Sequence, residues 1–122
     1  MELVMPQLFD RMKMASGQLL RVKTVDIGGW DMDLYDYAQV FHGLASIDKL
    51  LAVTGWIQRN DGALRMSIPC SIENTGDHVE VWIGYWDADT VIVYRRPGGG
   101  FDSINYSGVA INRGQLLLFY IE

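Results

Sequence analysis

The sequence has very few of the residues on which thiol and imidazole chemistry depends. Cys70 is the only cysteine among the 122 residues, and His42 and His78 are the only histidines. A single cysteine excludes an intrachain disulfide and a thiolate metal cluster. A catalytic Cys-His pair would have to join Cys70 to one of these histidines, and no local pattern supports one. Cys70 is therefore interpreted as a structural thiol.

The chain also lacks long apolar runs and an excess of positive charge. No stretch approaches the roughly 18 apolar residues of a membrane-spanning helix, and no basic segment followed by an apolar one marks a signal peptide. Ten Lys and Arg against fifteen Asp and Glu give a net charge of −5, which argues against binding to nucleic-acid phosphates. We therefore expect no membrane insertion and no nucleic-acid partner.

The chain is rich in apolar residues, which form 49% of it, and it carries four Trp, six Tyr, four Phe and 13 Gly. Residues 19–122 read as about seven or eight short strands separated by Gly, Pro, Asn and Asp, which predicts one all-β domain. The fold class is an antiparallel β-sandwich, jelly-roll-like or lectin-like. Its clearest hairpin has Asp61-Gly62 between two alternating segments, where glycine supplies a positive φ.

Residues 1–18 are predicted to form an N-terminal arm or short helix outside this domain. The apolar residues Met5, Leu8, Phe9 and Met12 recur at helical spacing. So short a helix is not stable unless it is docked. Two alternatives remain open, namely an arm packed on its own domain and an arm inserted into a neighbouring subunit.

The strand patterns predict which side chains share a face. In the first strand, Arg21 and Lys23 are expected to point outward. In the strand from His78 to Trp86, Trp82 and Trp86 are expected on one face, opposite Val81, Ile83 and Tyr85. The last strand, Gln115 to Ile121, has no polar face. It is therefore either central in the sandwich or covered by a second subunit.

Two acidic pairs and one glycine-rich stretch are the remaining candidates for chemistry. Asp31 with Asp33, and Asp87 with Asp89, could offer oxygens to a metal or two carboxylates to a glycosidase. Turn formation is the favoured interpretation, because Asp side chains bond to the local backbone. The stretch Pro97–Gly100 lacks the Lys and the Ser or Thr of a phosphate-binding loop. We predict no catalytic residue, no metal and no cofactor.

The aromatic residues exceed what a small sandwich needs for its core. Large apolar groups on both faces of one strand suggest a subunit contact. The residues expected at such an interface are Met5, Leu8, Phe9, Met12, Trp82, Trp86 and Tyr94. Stacking of a sugar on an indole ring is the alternative, with Trp30, Asp31 and Trp86 as the expected glycan contacts.

Several motifs in a consistent order resemble a family of small virion proteins of tailed bacteriophages and prophages. They are Ile27-Gly28-Gly29-Trp30-Asp31-Met32-Asp33, Phe41-His42-Gly43-Leu44, Ile57-Gln58-Arg59-Asn60-Asp61, Gly100-Phe101-Asp102, Tyr106 and Asn112-Arg113-Gly114. The similarity spans roughly residues 24 to 122, and each motif alone is weakly specific. Asn112-Arg113-Gly114 is interpreted as a turn before the last strand.

The resemblance implies a structural or attachment component of a virus particle, in its tail, a fibre or the head surface. It implies a chain made in the bacterial cytoplasm that resides in the virion, repeated by symmetry as a homo-oligomer, with a trimer expected first, and bound to other virion proteins. A fainter similarity in outline to the H-type lectin sandwich implies a carbohydrate-binding module for attachment to a host surface glycan. None of that family's sugar-binding residues can be matched to this chain.

Overall fold

The computed structural model describes residues 17–71 and 79–121, and in this part of the chain it is an all-β protein. Two single-turn 3-10 helices, Ile47–Lys49 and Ile104–Tyr106, lie in the connections. The strands are β1 Leu20–Asp26, β2 Tyr37–Phe41, β3 Leu50–Gln58, β4 Arg65–Ile68, β5 Val81–Trp86, β6 Thr90–Arg95 and β7 Gly114–Ile121. They form two antiparallel sheets with the orders β1-β7-β3-β4 and β2-β6-β5.

Apolar side chains from both sheets meet in one core, which confirms the predicted β-sandwich. Inward positions alternate with outward ones along the strands, except at the irregularities in β3 and β5. Burying these side chains is the main contribution to folding. The core strand residues are Val40, Leu50, Ile57, Ile68, Val81, Val91, Val93, Leu116 and Leu118.

The predicted hairpins are present where the turn residues indicated them. Gly62 has a φ of 71°, and the Asp61 carboxylate accepts a hydrogen bond from the Ala63 amide. In the β5–β6 turn, the Asp87 amide donates to the Thr90 carbonyl oxygen. Both turns therefore use the backbone conformation and side-chain bonding for which Gly and Asp are favoured.

The apolar last strand is central in the four-stranded sheet, between β1 and β3. Leu116 and Leu118 belong to the core, whereas Leu117 and Phe119 are partly exposed on the opposite face. The central position is therefore confirmed, and cover of its outer face by a second subunit stays a prediction. A strand that is hydrogen-bonded on both edges can be apolar on both faces without presenting a free edge.

The expected outward direction of Arg21 and Lys23 is wrong. The register pairs Val25 with Leu116 and Lys23 with Leu118, and both leucines belong to the core. Alternation along β1 therefore places Lys23 and Arg21 on the inward side with Val25. A shift of β1 by one residue along β7 would instead turn Val25, which packs against the core, toward solvent.

The expectation that Trp82 and Trp86 share a face is also wrong. The β5–β6 register shifts between Ile83 and Tyr85, which places a bulge at Gly84. After the bulge the alternation is reversed, so Trp86 packs against the core together with Ile83. The ring of Tyr94 lies over Gly84, where any Cβ atom would overlap with it. Glycine is therefore required at the bulge.

Several sequence expectations fall outside the described residues. They include the N-terminal positions Met5, Leu8, Phe9 and Met12, and His78 at the start of the predicted fifth strand. None of the helices in residues 17–71 and 79–121 is long and apolar enough to span a membrane.

Candidate functional site

Arg113 organises one end of the sandwich from a fully buried position directly before β7. Its Nε donates to the Trp30 carbonyl oxygen at 3.0 Å, and its Nη1 donates to the Gln58 carbonyl oxygen at 2.9 Å. Burial lowers the pKa of the guanidinium, but an arginine stays charged at neutral pH. The bonds to carbonyl oxygens replace the hydration that this charge loses on folding.

The Nη2 atom of Arg113 lies within hydrogen-bond distance of three further acceptors. The Asn60 Oδ1 atom and the carbonyl oxygens of Tyr106 and Gly108 are 2.8–2.9 Å away and share its two hydrogens. The guanidinium also lies 5.6 Å from the centre of the Tyr106 ring. One side chain thus joins three connections that are far apart in the sequence.

Amide side chains complete this cluster. Asn60 accepts from the Gly108 amide at 2.8 Å and donates to the Ile104 carbonyl oxygen at 2.8 Å. Asn112 accepts from the Gly28 amide through its side chain at 2.8 Å. The residues of four of the motifs therefore meet here. The guanidinium is inaccessible, so it stabilises the fold and does not bind a ligand.

His42 has a comparable structural role at the end of β2. It is fully buried. Its Nδ1 accepts from the Leu44 amide at 3.0 Å, which assigns the ring proton to Nε2. Nε2 lies 3.0 Å from the Asp87 carbonyl oxygen, to which it donates. The His-Gly-Leu motif therefore holds the β5–β6 turn against β2, with both ring nitrogens occupied.

The acidic pairs form turns, as predicted. Asp31 Oδ1 accepts from the amides of Asp33 and Leu34 at 3.0 and 3.1 Å. Asp87 Oδ1 accepts from the amides of Asp89 and Thr90, and these bonds lower the pKa of its carboxyl group. Within the described ranges, no group of three or more His, Cys, Asp or Glu residues could hold a metal ion.

In the glycine-rich loop after β6, the backbone amides that could bind a phosphate already donate hydrogen bonds within the protein. The Gly98 amide donates to the Asp102 carboxylate, and the Gly100 amide donates to the Glu80 carboxylate, at 2.9 and 2.8 Å. Both acceptors are negatively charged, so a bound phosphate would be repelled. The loop therefore connects strands and is not an anion site.

The pKa of the Cys70 thiol is shifted in the opposite direction from that of a catalytic thiol. Burial raises the pKa of this thiol from 9.0 to about 11, and the Glu80 carboxylate acts in the same direction. A nucleophilic cysteine needs a lowered pKa. We therefore expect the native thiolate fraction at mildly alkaline pH to be about a hundredfold below that of the unfolded chain.

Alkylation of the single thiol by iodoacetamide measures this difference. The native rate should rise with a midpoint near pH 11, whereas the chain unfolded in urea should react with the midpoint of a free thiol. Because the folded pKa is the higher one, the thiol's contribution to stability is complete below pH 9 and is lost as the pH rises toward 11. Equal midpoints in the two states would contradict the assignment.

The outer surface of the three-stranded sheet carries a cluster of aromatic rings, here called the aromatic face. Tyr94 is its centre, stacked on Trp82 at 5.8 Å between ring centroids. Tyr37 and Tyr85 flank Tyr94, each with a centroid distance of 6.4 Å. Ile92 is paired with Tyr85 and is buried outside the main core. The expected interface residues Trp82 and Tyr94 lie in this face, whereas Trp86 does not.

A shallow groove of about 250 Å³ lies beside the aromatic face, between β2 and the connection that follows β1. Asp31 lines it together with the largely exposed Tyr35 and Tyr37. Gln39 and Val109 complete its rim. Tyr37 thus belongs to both the groove and the aromatic face.

Of the three expected glycan contacts, Trp30 and Asp31 line the groove and Trp86 does not. Trp30 is only 5% exposed, and its indole N–H donates to the Tyr35 carbonyl oxygen at 3.0 Å, so its ring offers no face to a sugar. Trp86 packs against the core and does not line the groove beside Trp30. Of the three residues, only Asp31 lines the groove with an accessible polar group.

The sequence pattern did not reveal the residues that organise the Arg113 cluster and line the groove. The sequence pattern predicts only a turn at Arg113 and gives Tyr35 and Gln39 no role in a site. The presence of an arginine in an otherwise apolar and glycine-rich segment was the available signal for the first. No sequence signal indicated the groove, because its two walls are formed by segments whose proximity depends on the packing of the sheets.

These observations define an all-β sandwich with a buried arginine at one end, an aromatic outer face and a shallow polar groove. No protein-family model matches the chain, and no curated protein or solved structure shows significant similarity to it.

Proposed function

We propose that this chain is a structural component of a tailed-phage virion that acts through symmetric self-assembly and through contacts with other virion proteins. The aromatic face supports this proposal most directly. Its rings form one contiguous apolar patch on a sheet surface, and such patches on small proteins usually serve as interaction sites. Tyr and Trp are also the residues that dominate the energetic centre of protein interfaces.

The composition of the aromatic face fits a contact with a second copy of the chain. Gly84 allows the Tyr94 ring to lie close to the sheet, and the rings of Tyr37 and Tyr85 are tilted against it by 50° and 51°. The rings carry polar hydroxyl and indole N–H groups but no formal charge that burial would leave unpaired. A homo-oligomer is therefore the proposed state, with a trimer as its expected form.

Substitution of Tyr85 tests this assembly. Tyr85 is 52% exposed, so Tyr85→Arg leaves the fold intact and places a charge in the contact. Sedimentation equilibrium and light scattering should show an oligomer for the unaltered chain and at least roughly tenfold weaker association for the variant, equivalent to about 1.4 kcal/mol. Ile104→Arg is the matched control, because Ile104 is 76% exposed in the β6–β7 connection.

Two results would overturn the proposal. A monomer across a hundredfold range of micromolar concentrations, without a partner protein, would remove self-assembly. An equal effect of Tyr85→Arg and Ile104→Arg would remove the aromatic face as the contact. The virion placement is tested separately, because the chain should co-purify with intact particles and be visible at a repeated position in their images.

A second candidate function, host attachment through a surface glycan, is favoured by the groove beside the aromatic face. Exposed tyrosine rings and polar groups line one depression there. Such a mixture of aromatic walls with a few fixed hydrogen-bonding groups is typical of small-ligand sites. A glycan array tests this function, and silence across common glycans would contradict it.

A further inference from the structure

The groove presents an aromatic platform whose backbone is held in place. Tyr35 lies two residues before β2 and is 59% exposed. Its amide donates to the Asp31 carbonyl oxygen at 2.9 Å. Its carbonyl oxygen accepts the indole N–H of Trp30 at 3.0 Å. Trp30 thus acts as a positioning residue, because it holds Tyr35 from below while its own ring is buried.

The polar groups of the groove are equally well defined. The Asp31 carboxylate is oriented by the two amide bonds to its Oδ1 atom. Its Oδ2 atom makes no hydrogen bond within the described residues and can therefore accept one from a ligand. Gln39 is exposed at the opposite wall and offers both a donor and an acceptor.

We infer that this groove binds one neutral pyranose ring, the terminal sugar of a glycan. The C–H face of the sugar packs on Tyr35, and the sugar hydroxyl groups donate to the Asp31 carboxylate. Gln39 forms a hydrogen bond with a further hydroxyl or an acetamido group. This inference rests on the second candidate function and names its site. The groove's volume and its open shape suit a single ring rather than a long chain.

The charge of the groove selects against acidic sugars. Asp31 is the only Asp, Glu, Lys or Arg among the lining residues, and Asp33 and Asp36 are exposed nearby in the same connection. A carboxylate on the ligand would meet this negative charge without a cation among the groove residues to balance it. Neutral sugars, by contrast, use the carboxylate as an acceptor for charge-assisted hydrogen bonds.

Saturation-transfer NMR and titration with methyl glycosides test the inference. The probes are the methyl glycosides of glucose, galactose, mannose, N-acetylglucosamine and N-acetylgalactosamine, with sialic acid as the acidic comparison. Tyr35→Ala should weaken binding by roughly tenfold or more, and Asp31→Asn by a similar factor, while the asparagine oxygen keeps the turn. Tyr35→Phe retains the ring and should retain binding.

Matched controls separate the site from its surroundings. Leu34→Ala and Asp33→Asn alter exposed neighbours that do not line the groove and should leave affinity unchanged. A sugar that binds equally to Tyr35→Ala and the unaltered chain would overturn the groove while leaving glycan attachment in place. Absence of binding to every probe together with a silent glycan array would overturn both. Preferential binding of sialic acid would overturn the neutral-sugar assignment.

Discussion

Replacement of Arg113 by methionine is expected to lower the free energy of unfolding by at least about 4 kcal/mol. Methionine fills much of the volume but donates no hydrogen bond. Four buried or partly buried carbonyl oxygens and the Asn60 side chain would then lose a donor, each in or next to a connection that Arg113 holds. A loss of this size is a large part of the 5–15 kcal/mol of a typical domain. Urea unfolding followed by tryptophan fluorescence measures it.

One further variant tests whether the stability depends on the several N–H donors of the guanidinium or only on its positive charge, and a second variant serves as the control. Arg113→Lys keeps the positive charge, but a single ammonium group cannot reach acceptors on three connections, so it should also be strongly destabilised. Arg59→Met is the control, because Arg59 pairs with Asp61 at the surface at 2.9 Å. That variant should unfold close to the unaltered chain. Near-normal stability of Arg113→Met would show that the buried cluster is not a stabilising element.

Truncation of Phe101 is expected to have the second largest effect. Phe101 is 1% exposed, and its ring contacts Tyr106 edge-on with 4.9 Å between the ring centroids. Phe101→Ala should therefore destabilise the protein by roughly 3–5 kcal/mol, through lost burial and the cavity left behind. The contact with Tyr106 supports the connection that Arg113 binds, so the two variants should not be additive.

The same substitution at Phe41 provides the comparison. Phe41 is 75% exposed, so Phe41→Ala removes the same atoms without opening a cavity. Both variants should be unfolded at the same low protein concentration, so that assembly does not contribute. A similar midpoint for the two would contradict the placement of Phe101 in the core.

The Arg113 cluster also explains why the motifs that resemble virion proteins are spaced so far apart. Trp30, Asn60 and Tyr106 belong to three of these motifs, and each supplies an acceptor to the same guanidinium. The motifs therefore describe how one end of the sandwich is held together. The surfaces proposed to act, the aromatic face and the groove, are built mainly from residues outside them.

Interactions between residues close in the sequence were sufficient to predict the strands and the turns. Asp61-Gly62 and Asp87 predicted hairpins that the structure confirms. These features depend on neighbours within a few residues, where side-chain period and backbone preference act directly. The turn role of the acidic pairs follows from the same local bonding.

Face assignments failed where a non-local contact overrode the local pattern. In β5 the bulge at Gly84 reversed the alternation, and in β1 the pairing with β7 places Lys23 beside the core residue Leu118. A sequence shows the period of a strand but not an interruption of that period by its partner. The same reason explains Trp30, which is buried by connections that come from elsewhere in the chain.

The sequence by itself determined the fold class, because apolar alternation and turn chemistry are local and accumulate over many short strands. It also identified the excess of aromatic residues. Only the tertiary structure decided where they lie: Trp30 and Trp86 inward, and Trp82, Tyr85 and Tyr94 together on an outer face. Register, bulges and the bonds of one buried arginine set these positions, and all three join residues that are distant in the sequence.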